Sequence, residues 1–182
     1  ASALCREGVI ARQALEAARE SIAATIGASP TELVFTSGGT EADNAAIKGI
    51  VAAMRQRYGK MKAGNQLICS AFEHHAVLEP MQALKQDGIS VSQVKPQRDG
   101  FIAAEDLQSV ITEQTMLVSV MAVQNEIGTV QPIRELAEVT HSVSTSNPTG
   151  VLFHTDAVQA LGKIAFDVRE LAVDTASFSA HK

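Results

Sequence analysis

Leu117-Val-Ser-Val-Met-Ala-Val123 is an apolar run of strand length, and it leads directly into the polar group Gln124-Asn-Glu-Ile-Gly128. Runs of the same kind recur at Leu33-Val-Phe-Thr36, Leu67-Ile-Cys69, Val151-Leu-Phe-His154 and Thr175-Ala-Ser-Phe178; a weaker one, Ser90-Val-Ser-Gln-Val94, alternates with period two. Between them lie stretches with helical periodicity, carried by Ile10, Ala14, Ala18 and Ile22, by Ala46, Ile47, Ile50, Val51 and Met54, and by Ile133, Leu136, Val139 and Val143. Pro132 suits the first turn of the last of these. The alternation predicts an α/β fold, a mostly parallel sheet with helices on both faces. Gly59–Asn65, Pro96–Gly100 and Ser144–Gly150 read as loops, all too short for domain linkers. No internal repeat of fixed period is present.

Composition narrows the function. The 182 residues are 46% hydrophobic and 19% charged, a globular balance that excludes a disordered or low-complexity segment. No apolar run reaches the ~18 residues of a membrane-spanning helix. The net charge of −5 comes without a basic cluster, and six Phe, one Tyr and no Trp leave little to stack on bases. Nucleic acid and membrane are therefore not expected partners. Cys5 and Cys69 form neither a CxxC pattern nor a disulfide framework, and Cys69 lies in an apolar run as a small core side chain, so a reduced, cytoplasmic setting is expected. No basic segment leads into an apolar stretch as in a signal peptide. The chain starts without Met and stops at Ser179-Ala-His-Lys182, which reads as a fragment cut at both ends.

In an open α/β sheet ligands bind outside the carboxyl ends of the strands. Here five of the expected strands end in chemically capable residues: Ser37-Gly-Gly-Thr-Glu-Ala-Asp-Asn44, Glu73-His-His75, Gln124–Gly128, Thr155-Asp-Ala-Val-Gln159 and Ser179-Ala-His-Lys182. Together they point to one site. Ser37-Gly-Gly-Thr40 precedes a long helix and offers free N–H groups to an anion, or else Thr40 simply caps that helix. Neither GxxxxGK[ST] nor GxGxxG occurs. Four of the five histidines (His74, His75, His154, His181) fall at strand ends, so a metal site is a rival reading; without HExxH no metal is assigned. His141 sits in a helical stretch and is expected at the surface. Asp156 and Lys182, beside an anion-binding turn, match the needs of pyridoxal phosphate: a lysine for a Schiff base, a carboxylate for the pyridine nitrogen and a turn for the phosphate. Asp156 as a helix cap for Ala157–Leu161 and Lys182 as a solvated terminal lysine are the bland alternatives.

Thr36-Ser-Gly-Gly-Thr-Glu-Ala-Asp-Asn44, Glu73-His-His-Ala-Val-Leu78, Gln124-Asn-Glu-Ile-Gly-Thr-Val-Gln131, His154-Thr-Asp-Ala-Val-Gln159 and Ser177-Phe-Ser-Ala-His-Lys182 appear in the order and spacing of group I cysteine desulfurases. The chain resembles these fold-type I, aminotransferase class V pyridoxal-phosphate enzymes essentially from end to end. Arg6-Glu-Gly with Ala11-Arg12 resembles the family's early helix, with Cys5 where a His is common.

The resemblance implies roles. Lys182 would carry the cofactor as a Schiff base, and His74 would stack on the pyridine ring and assist proton transfer; His75 matches no catalytic position. Asp156 would pair with the ring nitrogen, Gln159 with help from Asn125 would bond the ring hydroxyl, and Gly39, Thr40, Ser179 and His181 would hold the phosphate. The implied reaction removes sulfur from L-cysteine, giving alanine and an enzyme persulfide for a sulfur acceptor such as an iron–sulfur scaffold protein. A selenocysteine lyase, a transaminase or a non-catalytic cofactor-binding remnant are the alternatives. The family's nucleophilic cysteine follows the lysine by a long stretch, so neither Cys5 nor Cys69 takes that role. Residues 1–182 would be the central part of the large domain, without the N-terminal segment and small C-terminal domain, inactive alone and paired as a homodimer in the complete enzyme.

Overall fold

A computed structural model describes residues 5–143 and 148–182. Five parallel strands form one sheet in the order β2-β1-β3-β4-β5, with β1 at Gln66–Ser70, β2 at Ser90–Val94, β3 at Thr115–Ser119, β4 at Leu152–Asp156 and β5 at Thr175–Ser177. Every residue of β1 and β3 is buried, as a central parallel strand requires. Edge strand β2 is more open, with Ser90 and Gln93 exposed and only Val94 buried.

Two apolar layers enclose the sheet. On one face α2 (Gly39–Ala63) and α3 (His75–Leu84) supply Ile47, Val51, Met54, Val77, Met81 and Leu84 against Leu67, Cys69 and Leu117. On the other, α4 (Ala104–Val110) and α5 (Ile133–Ser142) supply Leu107, Ile133, Leu136 and Ala137 against Ile68, Val118 and Phe153. The expected α/β architecture is therefore present, and the periodic residues Ile47, Val51 and Met54 are the ones buried.

Several local expectations give way. Leu33–Thr36 is not a sheet strand: it follows a 3-10 turn at Pro30–Glu32, no strand pairs with it, and Val34 and Phe35 are exposed. Its anchors are side-chain contacts instead, with Arg19 donating to the Leu33 carbonyl and its guanidinium 4.7 Å from the Phe35 ring centroid. Helix α1 (Arg6–Thr25) forms where the periodicity places it, yet Ala23 is its one buried residue and Ile10 and Ile22 stay exposed. β3 stops at Ser119, although Val120 and Ala122 keep donating to the carbonyls of His154 and Asp156 along β4.

The expected loop Gly59–Asn65 is mostly helical: α2 runs on through a kink at Gly59 and ends at Ala63. Gly64 then turns at φ 85°, where a Cβ would meet the Gln114 carbonyl at 2.4 Å. Pro96–Gly100 is a turn as read; of Ser144–Gly150, residues 144–147 lie outside the described residues. Pro132 occupies the cap position of α5 rather than its first turn. Helix α3 escaped the periodicity because Pro80 sits inside it. The Ala76 carbonyl, which Pro80 cannot serve, is approached instead by Asn44 Nδ2 at 3.5 Å.

Candidate active site

The carboxyl ends of β1, β3, β4 and β5 and the start of α2 converge on a cleft of about 270 Å³. All nine residues singled out from the sequence border it: Gly39, Thr40, His74, Asn125, Asp156, Gln159, Ser179, His181 and Lys182. His75 does not, and its ring lies on the exposed surface beside Glu79.

At one end of the cleft α2 begins. Gly38, not Thr40, is its N-cap, and Thr40 stands in the first turn with its hydroxyl uncommitted to capping. The first backbone bond runs from Ala42 N to the Gly38 carbonyl, so the N–H groups of Gly39, Thr40 and Glu41 precede the helical ladder. Glu41 folds back to accept from Ser37 N (2.6 Å) and Oγ (2.5 Å), fixing the bend and holding its carboxyl below the usual range. Gly38 has extended φ, so its conformation does not demand glycine. Gly39 does: a Cβ there would stand 2.9 Å from Val158 Cγ2 and 3.6 Å from Ser179 Cβ. Close approach of the two loops, rather than a left-handed backbone, is what the glycine permits. Free N–H groups at a helix start, with Ser179 and His181 opposite, form a donor set suited to a phosphate.

At the other end β4 delivers Asp156, 4% exposed. Its Oδ1 accepts from Val158 N at 2.9 Å and so caps a turn, not the helix expected over Ala157–Leu161, while also bordering the cleft. Burial raises its pKa, with Asp43 adding to the rise; the Val158 N–H, His154 and His74 work the other way. A carboxylate placed so stands to gain from a cationic partner in the cleft.

His74 is the N-cap of α3, and its Nδ1 accepts from Ala76 N at 3.1 Å. An accepting Nδ1 puts the hydrogen of the neutral ring on Nε2. Gln159 Oε1 accepts from Lys163 Nζ at 2.6 Å, which leaves its amide N–H groups for a ligand oxygen. Asn125 is carried by a loop that Gln124 organises, its Oε1 accepting from Glu126 N (2.6 Å) and Ile127 N (2.8 Å).

Residues missed from the sequence complete the surroundings. Asp43, Ala76, Met121 and Val158 also border the cleft. Glu73 is buried behind His74: its Oε1 accepts from Ser70 Oγ and from Met121 N (2.8 Å), tying the ends of β1 and β3 together. Burial pushes its carboxyl up to about 8. Asp43 and Glu73 both lay inside motifs already noticed, but nothing in a linear sequence distinguishes a buried carboxylate from a solvated one. His154 is wholly buried, with Nδ1 2.9 Å from Thr175 Oγ1 and Nε2 3.2 Å from Asp43 Oδ1. Among the described residues no group of three metal-ligating side chains gathers, so the rival metal reading finds no cluster there. His141 is partly exposed on α5, 2.8 Å from Asp174. Cys69 is a core side chain whose thiol burial pushes up to about 12, and Cys5 caps α1, accepting from Gly8 N.

An anion seat, a buried carboxylate and a lysine bordering one cleft fit a phosphorylated aromatic ring with a basic nitrogen and an aldehyde, the structure of pyridoxal phosphate. The whole chain is also similar to known proteins. Cysteine desulfurase IscS of Clostridium botulinum is 42% identical over 171 residues, which are 94% of this chain and 40% of that protein. The protein of the same name from Pectobacterium carotovorum is 45% identical over 177 residues, 97% of this chain and 41% of that one. The chain thus spans about 40% of the length of these relatives. Among solved structures, a NifS-like protein superposes with a TM-score of 0.87 at 37% identity, covering 98% of this chain and 46% of that one. SspA in complex with cysteine superposes at 0.88 with 37% identity, covering 99% and 48%. The family model "Aminotransferase class-V" matches residues 2–182, and by that match over nearly its whole length the chain belongs to the aminotransferase class-V family.

Proposed function

We propose that this chain is the cofactor-holding part of a pyridoxal-phosphate-dependent cysteine desulfurase, which removes sulfur from L-cysteine to give alanine and a persulfide. The observation that carries the reading is the convergence on one cleft of the nine residues that the resemblance singled out. Two comparisons support the substrate: the relatives named cysteine desulfurase and the neighbour SspA solved with cysteine.

Pyridoxal phosphate, when bound, supplies an electron sink for bonds at the substrate's α-carbon. The chain's own residues do the rest. Gly39, Thr40, Ser179 and His181 seat the phosphate, and the start of α2 adds its positive end. Asp156 pairs with the ring nitrogen and holds its proton. The Gln159 amide, free on its nitrogen side, and Asn125 orient the ring oxygen. Lys182 anchors the cofactor covalently. His74, fixed through Nδ1 by Ala76 N, presents Nε2 and its hydrogen to the cleft and exchanges protons there. The nucleophile that takes the sulfur is assigned to neither cysteine: Cys69 is buried, which pushes its thiol up to about 12, and Cys5 caps α1 and does not border the cleft.

The finer assignments follow the same reading. Residues 1–182 are the central part of the large domain, the 182-residue piece is inactive alone, and the complete enzyme is a cytoplasmic homodimer passing sulfur to an iron–sulfur scaffold protein. The exposed Ile10, Val34 and Ile127 support further covering contacts, and the unpaired Cys5 and Cys69 suit a reducing compartment. The test supplies the full-length protein with a thiol reductant and either L-cysteine or L-selenocysteine, and measures alanine, keto acid and sulfide or selenide. Equal yields of alanine and sulfide from L-cysteine support the reading. Keto acid without sulfide indicates a transaminase, faster turnover of selenocysteine a lyase, and no alanine a non-catalytic remnant.

A further inference from the structure

Side chains two apart on a strand share a face, so His154 and Asp156 of β4 both turn toward the layer containing α2. There they meet Asp43. The three are 0%, 4% and 1% exposed, which puts two carboxylates and one imidazole in a volume almost closed to water. His154 Nε2 lies 3.2 Å from Asp43 Oδ1, and an ionised carboxylate only accepts, so Nε2 carries hydrogen. Its Nδ1 lies 2.9 Å from the Thr175 hydroxyl, which can accept a second N–H. The other carboxylate oxygen of Asp43, Oδ2, is buried with no hydrogen-bond partner, although Asp43 borders the cleft.

Burial most strongly disfavours the anion of Asp156 and Asp43 adds to it, whereas the Val158 N–H, His154 and His74 favour it. Glu73, the remaining buried acid nearby, holds its proton up to about 8 and so contributes little charge at neutral pH. The charged neighbours of Asp156 are thus Asp43 on one side and His154 and His74 on the other, and of the two histidines only His154 contacts Asp43. We propose that His154 is a positioning residue: held between Asp43 and Thr175, it offsets the Asp43 carboxylate and so keeps Asp156 in the anionic form a protonated ring nitrogen requires. The proposal rests on the pyridoxal-phosphate reading above. It assigns a task to a buried histidine that the proposed mechanism does not use.

The experiment uses the full chain stripped of cofactor. It titrates wild type and variants with pyridoxal phosphate and with its 1-deaza analogue, in which CH replaces the ring nitrogen. Wild type binds pyridoxal phosphate more tightly. His154→Gln weakens pyridoxal phosphate by about tenfold or more, the equivalent of one pKa unit at Asp156, and changes the deaza analogue less than about threefold. Adding Asp43→Asn to His154→Gln recovers most of that loss, because it removes the carboxylate left without an offsetting charge. Thr175→Val, which takes away the Nδ1 partner, gives a smaller loss of the same selectivity and serves if His154→Gln fails to fold. Equal weakening of both ligands, or a double variant no better than the single one, overturns the proposal and leaves a purely structural pair. If wild type binds neither ligand, the cofactor reading itself fails; if it binds both but the variants do not discriminate, only the role of His154 does.

Discussion

The two faces of the sheet are built from the same strands and do different work. β4 shows it in four residues. Phe153 turns into the layer of α4 and α5, among Ile68, Leu107, Val118 and Leu136, and is fully buried. His154 and Asp156 turn the other way, toward Asp43 and the cleft. Both faces carry apolar layers, but along β4 one face gains stability from apolar burial while the other holds polar groups whose burial opposes their charge. Alternation along a strand thus lets one segment hold a core together and place a carboxylate at a ligand.

That contrast can be broken from either side. Lys182→Ala, on the cleft, is expected to abolish covalent cofactor attachment altogether; borohydride treatment followed by intact-mass measurement reads it, and a reduced adduct on the variant would sink the assignment. Phe153→Ala, on the opposite face, should cost about 3–5 kcal/mol in denaturant unfolding, as deletion of a buried aromatic side chain does. Asp156→Asn should leave unfolding nearly unchanged and weaken cofactor binding by about thirtyfold or more, the cost of removing one member of a buried charged pair.

Glu73 sharpens the comparison through pH. Its carboxyl titrates near 8 in the folded chain against 4.5 as an ordinary carboxyl, so the folded state holds a proton that the unfolded state releases. Its contribution is therefore fully present below about 4.5 and is lost as pH rises toward 8. Glu73→Gln removes this dependence. Relative to wild type it should gain roughly 1–3 kcal/mol between pH 5.5 and 8.5, read by urea unfolding at both pH values. The smallest effect belongs to His141→Gln. It breaks a partly exposed ion pair to Asp174, whose carboxylate also accepts from Phe153 N, and should cost at most about 1 kcal/mol.

The cleft was legible because its residues sit where strands stop and chemistry-bearing side chains replace apolar ones. Asp156, Gln159, Ser179 and Lys182 all announce themselves this way, and all border the cleft. Asp43 did not, since at five residues into a helix it reads as one more polar position. Leu33–Thr36 misled in the opposite sense: four residues of strand composition without a strand beside them. β propensity measures fit to a half-buried pleated surface, and an exposed Val34 has no such surface to fit. Helix α3 was hidden by Pro80, whose local cost is met by a contact from another helix.

The sequence by itself determined the alternation of strands and helices, the two-sided burial of the central strands and the residues offered at strand ends. These depend on neighbours along the chain, through side-chain period and turn chemistry. Only the tertiary structure decided which carboxylates are shut away from water, that Asp43 meets His154 across 111 positions, and that Glu73 keeps its proton near neutrality. The cost of charge depends on the dielectric and partners around a group, and those are set by segments far apart in the chain.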